Sequence, residues 1–498
     1  MRRFMRNGDY SLNTPSQFGN SDWPVMEESL SNCSLVTEAG SDYEELLPQP
    51  ERDGSYASER EGSSLYRVAF NFVNVVVGAG IVGLPYVFKE AGFCMAIGLM
   101  TLLCWLTDYS VRMLVSTGYS VGVHNYEDLM HKAFGKPGYL TVCSLILVFD
   151  FGAILSYLII LGDSSSLVVK DALGYTEECA SVTCEQIERI CISVASVVLI
   201  LPLCLSRDIS NLESASFVSI FTVVVIILMV MANLFTKLSG DGEQLPEITV
   251  TGPGVFQACG IISFSFVCHD SAFLLYQTLG SKARYDSAFL LYQTLGSKAR
   301  YDSASLLYQT LGSKASRRWT TVTHISLSAA LGICLCFSIS GYLTFGRATQ
   351  PNVLNNYDSN PIIVAMRVLY CITMALTYPT GFFVCRHIIN ALLYNGQPSI
   401  QDMSQRRYLM LTAPLFLTSV GIALIGLELD FVMALSGAGA GALAFILPPL
   451  CRLRLCQVTK QEQIAAIMMA SFGTVMMLAC ILQAFEKQYG FSFGFAGF

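Results

Sequence analysis

The 498 residues are 53% hydrophobic and only 13% charged, where a soluble domain carries about 25% charged side chains. That deficit excludes a soluble globular fold, and the many apolar runs have the roughly 20-residue length that a helix needs to cross a bilayer. The net charge of −7 resides in the first 65 residues, which hold twelve acids against five bases, while the rest of the chain is balanced; no basic surface points to a nucleic-acid partner.

Residues 1–65 are rich in Ser, Asn, Gly, Glu and Pro and cannot bury enough apolar surface to offset their ordering entropy, so they read as a disordered acidic tail. The tail opens without the apolar stretch of a cleaved signal peptide. It contains Asp42-Tyr43-Glu44-Glu45-Leu46-Leu47, a pattern resembling the acidic dileucine signals read by endosomal sorting adaptors.

Spanning helices are expected at 66–88, 92–116, 139–161, 187–205, 213–236, Gly254–Leu279, 320–345, 362–390, 408–427, 430–450 and 463–485. An amphipathic stretch from Asn125 to Phe134 separates the second from the third. Lys and Arg in the connecting segments divide eighteen to seven between the two sides. The positive-inside rule then puts the N-terminus in the cytoplasm and residues 486–498 outside. The whole is an all-α polytopic membrane protein, on either the plasma membrane or an endosomal or lysosomal one.

Residues 270–285, DSAFLLYQTLGSKARY, recur unchanged at 286–301 and with small alterations at 302–317. Sixteen residues three times is too little to stack as a solenoid. The first copy is expected to complete the sixth span, and the other two to form extra cytoplasmic loop.

The first span carries Gly78-Ala79-Gly80-Ile81-Val82-Gly83-Leu84-Pro85 and the sixth Ser263-Phe264-Ser265-Phe266-Val267-Cys268-His269-Asp270. Glycine and proline weaken a membrane helix locally, and non-helical backbone at membrane depth is tolerated only where protein or a cavity surrounds it. Freed N–H and carbonyl groups there bind an anion and a cation. Taken singly, the first stretch also fits a packing face of small residues, and His269 and Asp270 of the second also fit a hydrated position near the inner membrane surface. Interruptions five spans apart are the pattern of an inverted-repeat transporter. Asn74, one turn before Gly78, and Thr377 in the eighth span offer oxygen ligands for a hard cation, or a hydrogen bond between helices. Asp108 and Arg112 form an i,i+4 ion pair. Asp150, at mid-depth of the third span, either titrates or pairs with a polar neighbour, and the second is expected.

Seventeen cysteines are present, none at zinc-ligand spacing. Cys179 and Cys184 share a connection expected outside and are a candidate disulfide. No nucleophile–base set is discernible, so no enzymatic activity is expected.

The segments NVVVGAGIVGLPYVFKEAGF, TDYSVRML, SYLIILGD, FSFVCHDSAFLLYQTL and ALTYPTGFFVCR, in this order, resemble the sodium-coupled neutral amino acid transporters of the amino acid/auxin permease superfamily, and look most like the member 11 branch. The resemblance implies a five-plus-five inverted repeat of LeuT/APC type with an eleventh helix added. It implies sodium as coupling ion on Asn74 and Thr377, with no organic cofactor. It also implies a neutral amino acid contacted by Gly78, Ala79, Gly80, Gly83, Ser263, Phe264, Phe266 and Cys268. His269-Asp270-Ser271 stands where other members often have His-Pro-Glu, a departure that touches selectivity.

Overall fold

The computed structural model describes residues 65–77, 79–174, 181–205, 213–239, 246–273, 275–276, 297–394 and 403–490. The tail with its Asp42–Leu47 motif, Gly78, Cys179 and most of the second repeat copy lie outside the described residues, as do the side chains of Asn74, Ala79 and Cys184. Among the described residues every regular element is helical.

Among the described residues, eight helices are long and apolar enough to cross a membrane. They correspond to the second, third, fourth, fifth, seventh, eighth, tenth and eleventh expected spans. The other three are helical but deviate for visible reasons. The ninth, Gln405–Ala423, opens on Gln405-Arg406-Arg407, which dilutes its hydropathy. The first and sixth are broken. The first runs Leu65–Val76, loses its α-pitch, turns as a 3-10 helix through Ala79–Gly83 and resumes at Leu84–Ala91. Pro85 lies in the opening turn of that last piece, where its missing N–H costs no intrahelical bond. The sixth runs Val255–Phe266, where Val267 turns extended (φ −66°, ψ 132°) and helix resumes at 269–273.

The amphipathic stretch is a helix capped by Asn125, whose side chain accepts the Asp128 N–H at 2.8 Å. It meets the third span at a kink where Gly135 adopts φ 67°, followed by Pro137. A conformation with positive φ suits glycine, and proline cannot sit within a straight helix. The fourth and tenth spans each contain one π-turn, at Ser196–Ile200 and Ala442–Ile446; such a turn inserts a residue and bends a helix.

One expectation is corrected. The third repeat copy was expected in a loop, but Ser297–Phe345 is one continuous helix, so that copy extends the seventh span by several turns beyond its apolar part, Arg317–Ala348. The copy holds three leucines and two alanines, which favour helix, and contains no proline. Nothing therefore stops the helix before Trp319.

The third span packs along the eighth, the sixth along the tenth and the first along the seventh, with the tenth also contacting the third and eleventh. Small residues set the closest approaches. A Cβ on Gly437 of the tenth span would collide with the Gly260 carbonyl of the sixth, and one on Gly152 of the third with the Ser436 hydroxyl. Helices in lipid gain from such packing because lipid is as apolar as their side chains. Below, the near face is the end where the first span begins, and the far face is the other.

Candidate binding site at the two helix breaks

The breaks of the first and sixth spans touch. A Cβ on Gly80 would lie 3.0 Å from Ser265 Cα and collide with its hydroxyl, so only glycine lets the 3-10 turn approach this close. Ser265 donates its hydroxyl back to Ile261 O at 3.1 Å. Gly83 faces the tenth span, where a Cβ would meet Met433 Cε at 2.7 Å. Phe264 lies beside Phe149 of the third span, ring centroids 5.7 Å apart. Where helix gives way to extended chain at Val267, the last carbonyls lose their intrahelical donors, and the neighbouring residues 261–269 are all buried. Backbone polar groups so placed are costly unless something pairs with them.

The expected contact residues thus separate. Gly80 and Gly83 line the close approach of the two broken helices, and Phe264, Phe266 and Cys268 are buried around the sixth-span break. Ser263 turns away, its hydroxyl 4.0 Å from Met476 Sδ of the eleventh span. Ser265 and Met433 were not singled out from the sequence; alternation about Phe264 and Phe266 was the only signal for the first, and none existed for the second. Of the expected sodium ligands, half-buried Thr377 donates to Thr373 O at 2.8 Å, which leaves its oxygen lone pairs able to accept or coordinate.

Two groups of ionisable residues flank this centre. Toward the near face, His269 is fully buried with Nε2 3.1 Å from Ser110 Oγ, while its Nδ1 has no partner among the described residues. Asp108 and Arg112 pair at 2.6 Å as the spacing predicted, and His324 of the seventh span adds a contact of 3.1 Å to the same carboxylate. Asp150 is 6% exposed and was expected to pair with a polar neighbour. Instead its Oδ2 is buried without a partner among the described residues.

At the far face lies a denser network. Asp430 at the start of the tenth span is 1% exposed. Its Oδ2 accepts from Tyr86 at 3.0 Å and Gln257 at 2.9 Å, and lies 2.9 Å from Lys487. Lys487 also contacts Tyr86 Oη and pairs with Glu90 at 3.0 Å. Gln483 accepts the Gln257 N–H at 2.8 Å and donates to Pro253 O at 2.6 Å. The second half of the first span, the start of the sixth, the tenth and the end of the eleventh are thereby tied at one end.

Two broken helices crossing at mid-bundle, within eleven helical spans, define a multi-pass membrane protein of the inverted-repeat transporter type, the LeuT/APC-like five-plus-five arrangement with one helix added. The inward-facing conformation of Mhp1 shares this fold, with a TM-score of 0.53 over 89% of this chain and 93% of Mhp1 at 12% identity. The sequence profile of the transmembrane amino acid transporter protein family matches residues 61–295 and 307–486, and the chain belongs to that family. The interruption in that match falls inside the triplicated segment. Sodium-coupled neutral amino acid transporter 11 of Rattus norvegicus is 32% identical over 452 residues, covering 89% of this chain and 88% of the rat protein. The Mus musculus protein of the same name is 32% identical over 451 residues, with the same shares covered. Vacuolar amino acid transporter 2 of Saccharomyces cerevisiae is 24% identical over 433 residues, 84% of this chain and 83% of the yeast protein.

Proposed function

We propose that this chain is a secondary active transporter that moves neutral amino acids across a membrane by sodium symport, its N-terminus in the cytoplasm. The observation that carries the site is the contact of the two breaks at Gly80 and Ser265. The zwitterion's carboxylate takes the N–H groups of the Gly78–Gly83 turn, and its ammonium takes carbonyls freed after Phe266. Buried Phe264, Phe266 and Cys268 bound the side-chain space. Sodium sits between the first and eighth spans on Asn74 and Thr377, hard oxygen donors suited to it. Substrate and ion are coupled because each binds the two access states unequally and so shifts their populations. The printed names of the rodent relatives support sodium and a neutral substrate.

A second reading, proton coupling on an internal membrane, is favoured by the buried Asp150 Oδ2, which has no partner among the described residues, and by the vacuolar name of the yeast relative. Uptake of a panel of labelled amino acids into proteoliposomes, with sodium or proton gradients imposed in turn, separates them. On the sodium reading, uptake of a neutral amino acid rises with inward sodium, and Thr377→Ala raises the sodium concentration needed. Uptake indifferent to sodium would reject it.

A further inference from the structure

Asp150 lies at the middle of the third span, eleven residues from each end of the expected segment 139–161. At 1.5 Å rise per residue that is about 16 Å from either end, the centre of a hydrocarbon core roughly 30 Å thick. Its surroundings are tight and, among the described residues, offer no cation. From the eighth span it meets Gly381, where a Cβ would lie 3.9 Å from Asp150 Oδ1 and 3.6 Å from its carbonyl oxygen. The next turn of that span brings Cys385. The adjacent Arg386 turns instead to Cys204 O at 3.1 Å and Tyr408 Oη at 2.6 Å. From the tenth span come Ser436, against Gly152, and Gly439, against Val148. From the sixth comes Asp270, a second acid, and from its own helix Tyr157. No lysine or arginine among these neighbours faces Asp150.

Asp150 Oδ2 is buried with no partner among the described residues, and an ionised carboxylate held dry at this depth without a partner costs several kcal/mol. Such a group persists in a membrane helix where it serves an ion pathway.

We infer that Asp150 is a proton-binding site of the transport cycle: it carries a proton in the closed-packed arrangement seen here and releases it when the opposite access state wets the seam between the third and eighth spans. The step is the simple one, carboxylate plus proton to carboxylic acid and back. Gly381 lies one turn from Thr377 on the same helix face. Protonation of Asp150 therefore acts on the helix that is also assigned the sodium ligand. This inference rests on the chain's being a transporter and does not depend on whether sodium also drives it.

The test uses the full chain in proteoliposomes with equal sodium on both sides and a labelled neutral amino acid. A gradient of about one pH unit is worth roughly tenfold in accumulation for each coupled proton. The wild type should respond by up to that factor, and Asp150→Asn should show the same uptake with and without the gradient. Asp150→Glu should restore part of the response at a displaced pH midpoint. A wild type blind to the gradient, or an Asp150→Asn variant that keeps the full response, overturns the assignment. Should Asp150→Asn fail to insert, infrared difference spectra of the wild type decide. A protonated-carboxyl stretch that changes on adding the amino acid, and moves in Asp150→Glu, is expected; its absence from the wild type overturns the assignment. A protein that responds to pH but not to sodium would sink sodium symport and leave Asp150 standing. One that moves no amino acid under any gradient would sink the transporter reading, with the infrared band still judging Asp150.

Discussion

Asp430 and Asp150 are both buried carboxylates in membrane helices, and their surroundings are opposite. Asp430 has Tyr86, Gln257 and Lys487 on one oxygen, drawn from three other spans. Asp150 has a glycine, a second acid and, among the described residues, no cation. Removing one partner from a buried ionic cluster strands the rest, so the first arrangement holds helices together. Each acid keeps one oxygen buried without a partner among the described residues, but only Asp430 has a cation and two donors on the other. On the proposed reading the far-face network is scaffold, and Asp150 serves the transport cycle.

The largest expected effect breaks the scaffold. Asp430→Ala leaves Lys487 with Glu90 and the Tyr86 hydroxyl but without its second carboxylate, and strips Tyr86 and Gln257 of this acceptor, which should cost about 3 kcal/mol; thermal unfolding in detergent checks it, and an unchanged melting temperature would remove the network from the account. Next, Asp430→Asn and Lys487→Met made singly and together should show a coupling energy of about 1–2 kcal/mol, because the two touch directly. Gln257→Leu gives up one hydrogen bond to a charged acceptor and should cost roughly 1 kcal/mol. The smallest effect sharpens the contrast from the other side. Asn has almost the shape of a protonated Asp, so Asp150→Asn should change stability by less than about 0.5 kcal/mol, within the range of a substitution that touches no partner. A loss as large as that of Asp430→Ala would mean that Asp150 is paired after all.

The fold was legible where hydropathy speaks alone. Eight spans fall where apolar length put them; glycine and proline marked the break in the first helix, and the ionisable pair His269-Asp270 marked that in the sixth. The Asp108–Arg112 pair followed from spacing on one helix. The far-face network was not legible, since it joins Tyr86 to Asp430 across 344 residues and no local pattern encodes such a pairing. The same holds for Met433 against Gly83. Asp150 was misjudged because burial is readable from the sequence but partnership is not. The third repeat copy was misjudged because its polarity suggested a loop, while it holds no proline and no breaker separates it from the apolar part of the seventh span.

If the breaks hold the amino acid, binding there must stabilise the folded protein by mass action. Ligand at about 100 times its dissociation constant is worth roughly 2.7 kcal/mol. The most direct test is therefore the thermal shift that a panel of neutral amino acids produces in detergent-solubilised wild type, Asp430→Asn and Gly80→Val. The account predicts that Asp430→Asn melts lower yet still shifts upward with the amino acid that shifts the wild type, whereas Gly80→Val, its 3-10 turn forced off Ser265, shows no shift with any of them. A full shift in Gly80→Val would place the binding site somewhere other than the two breaks.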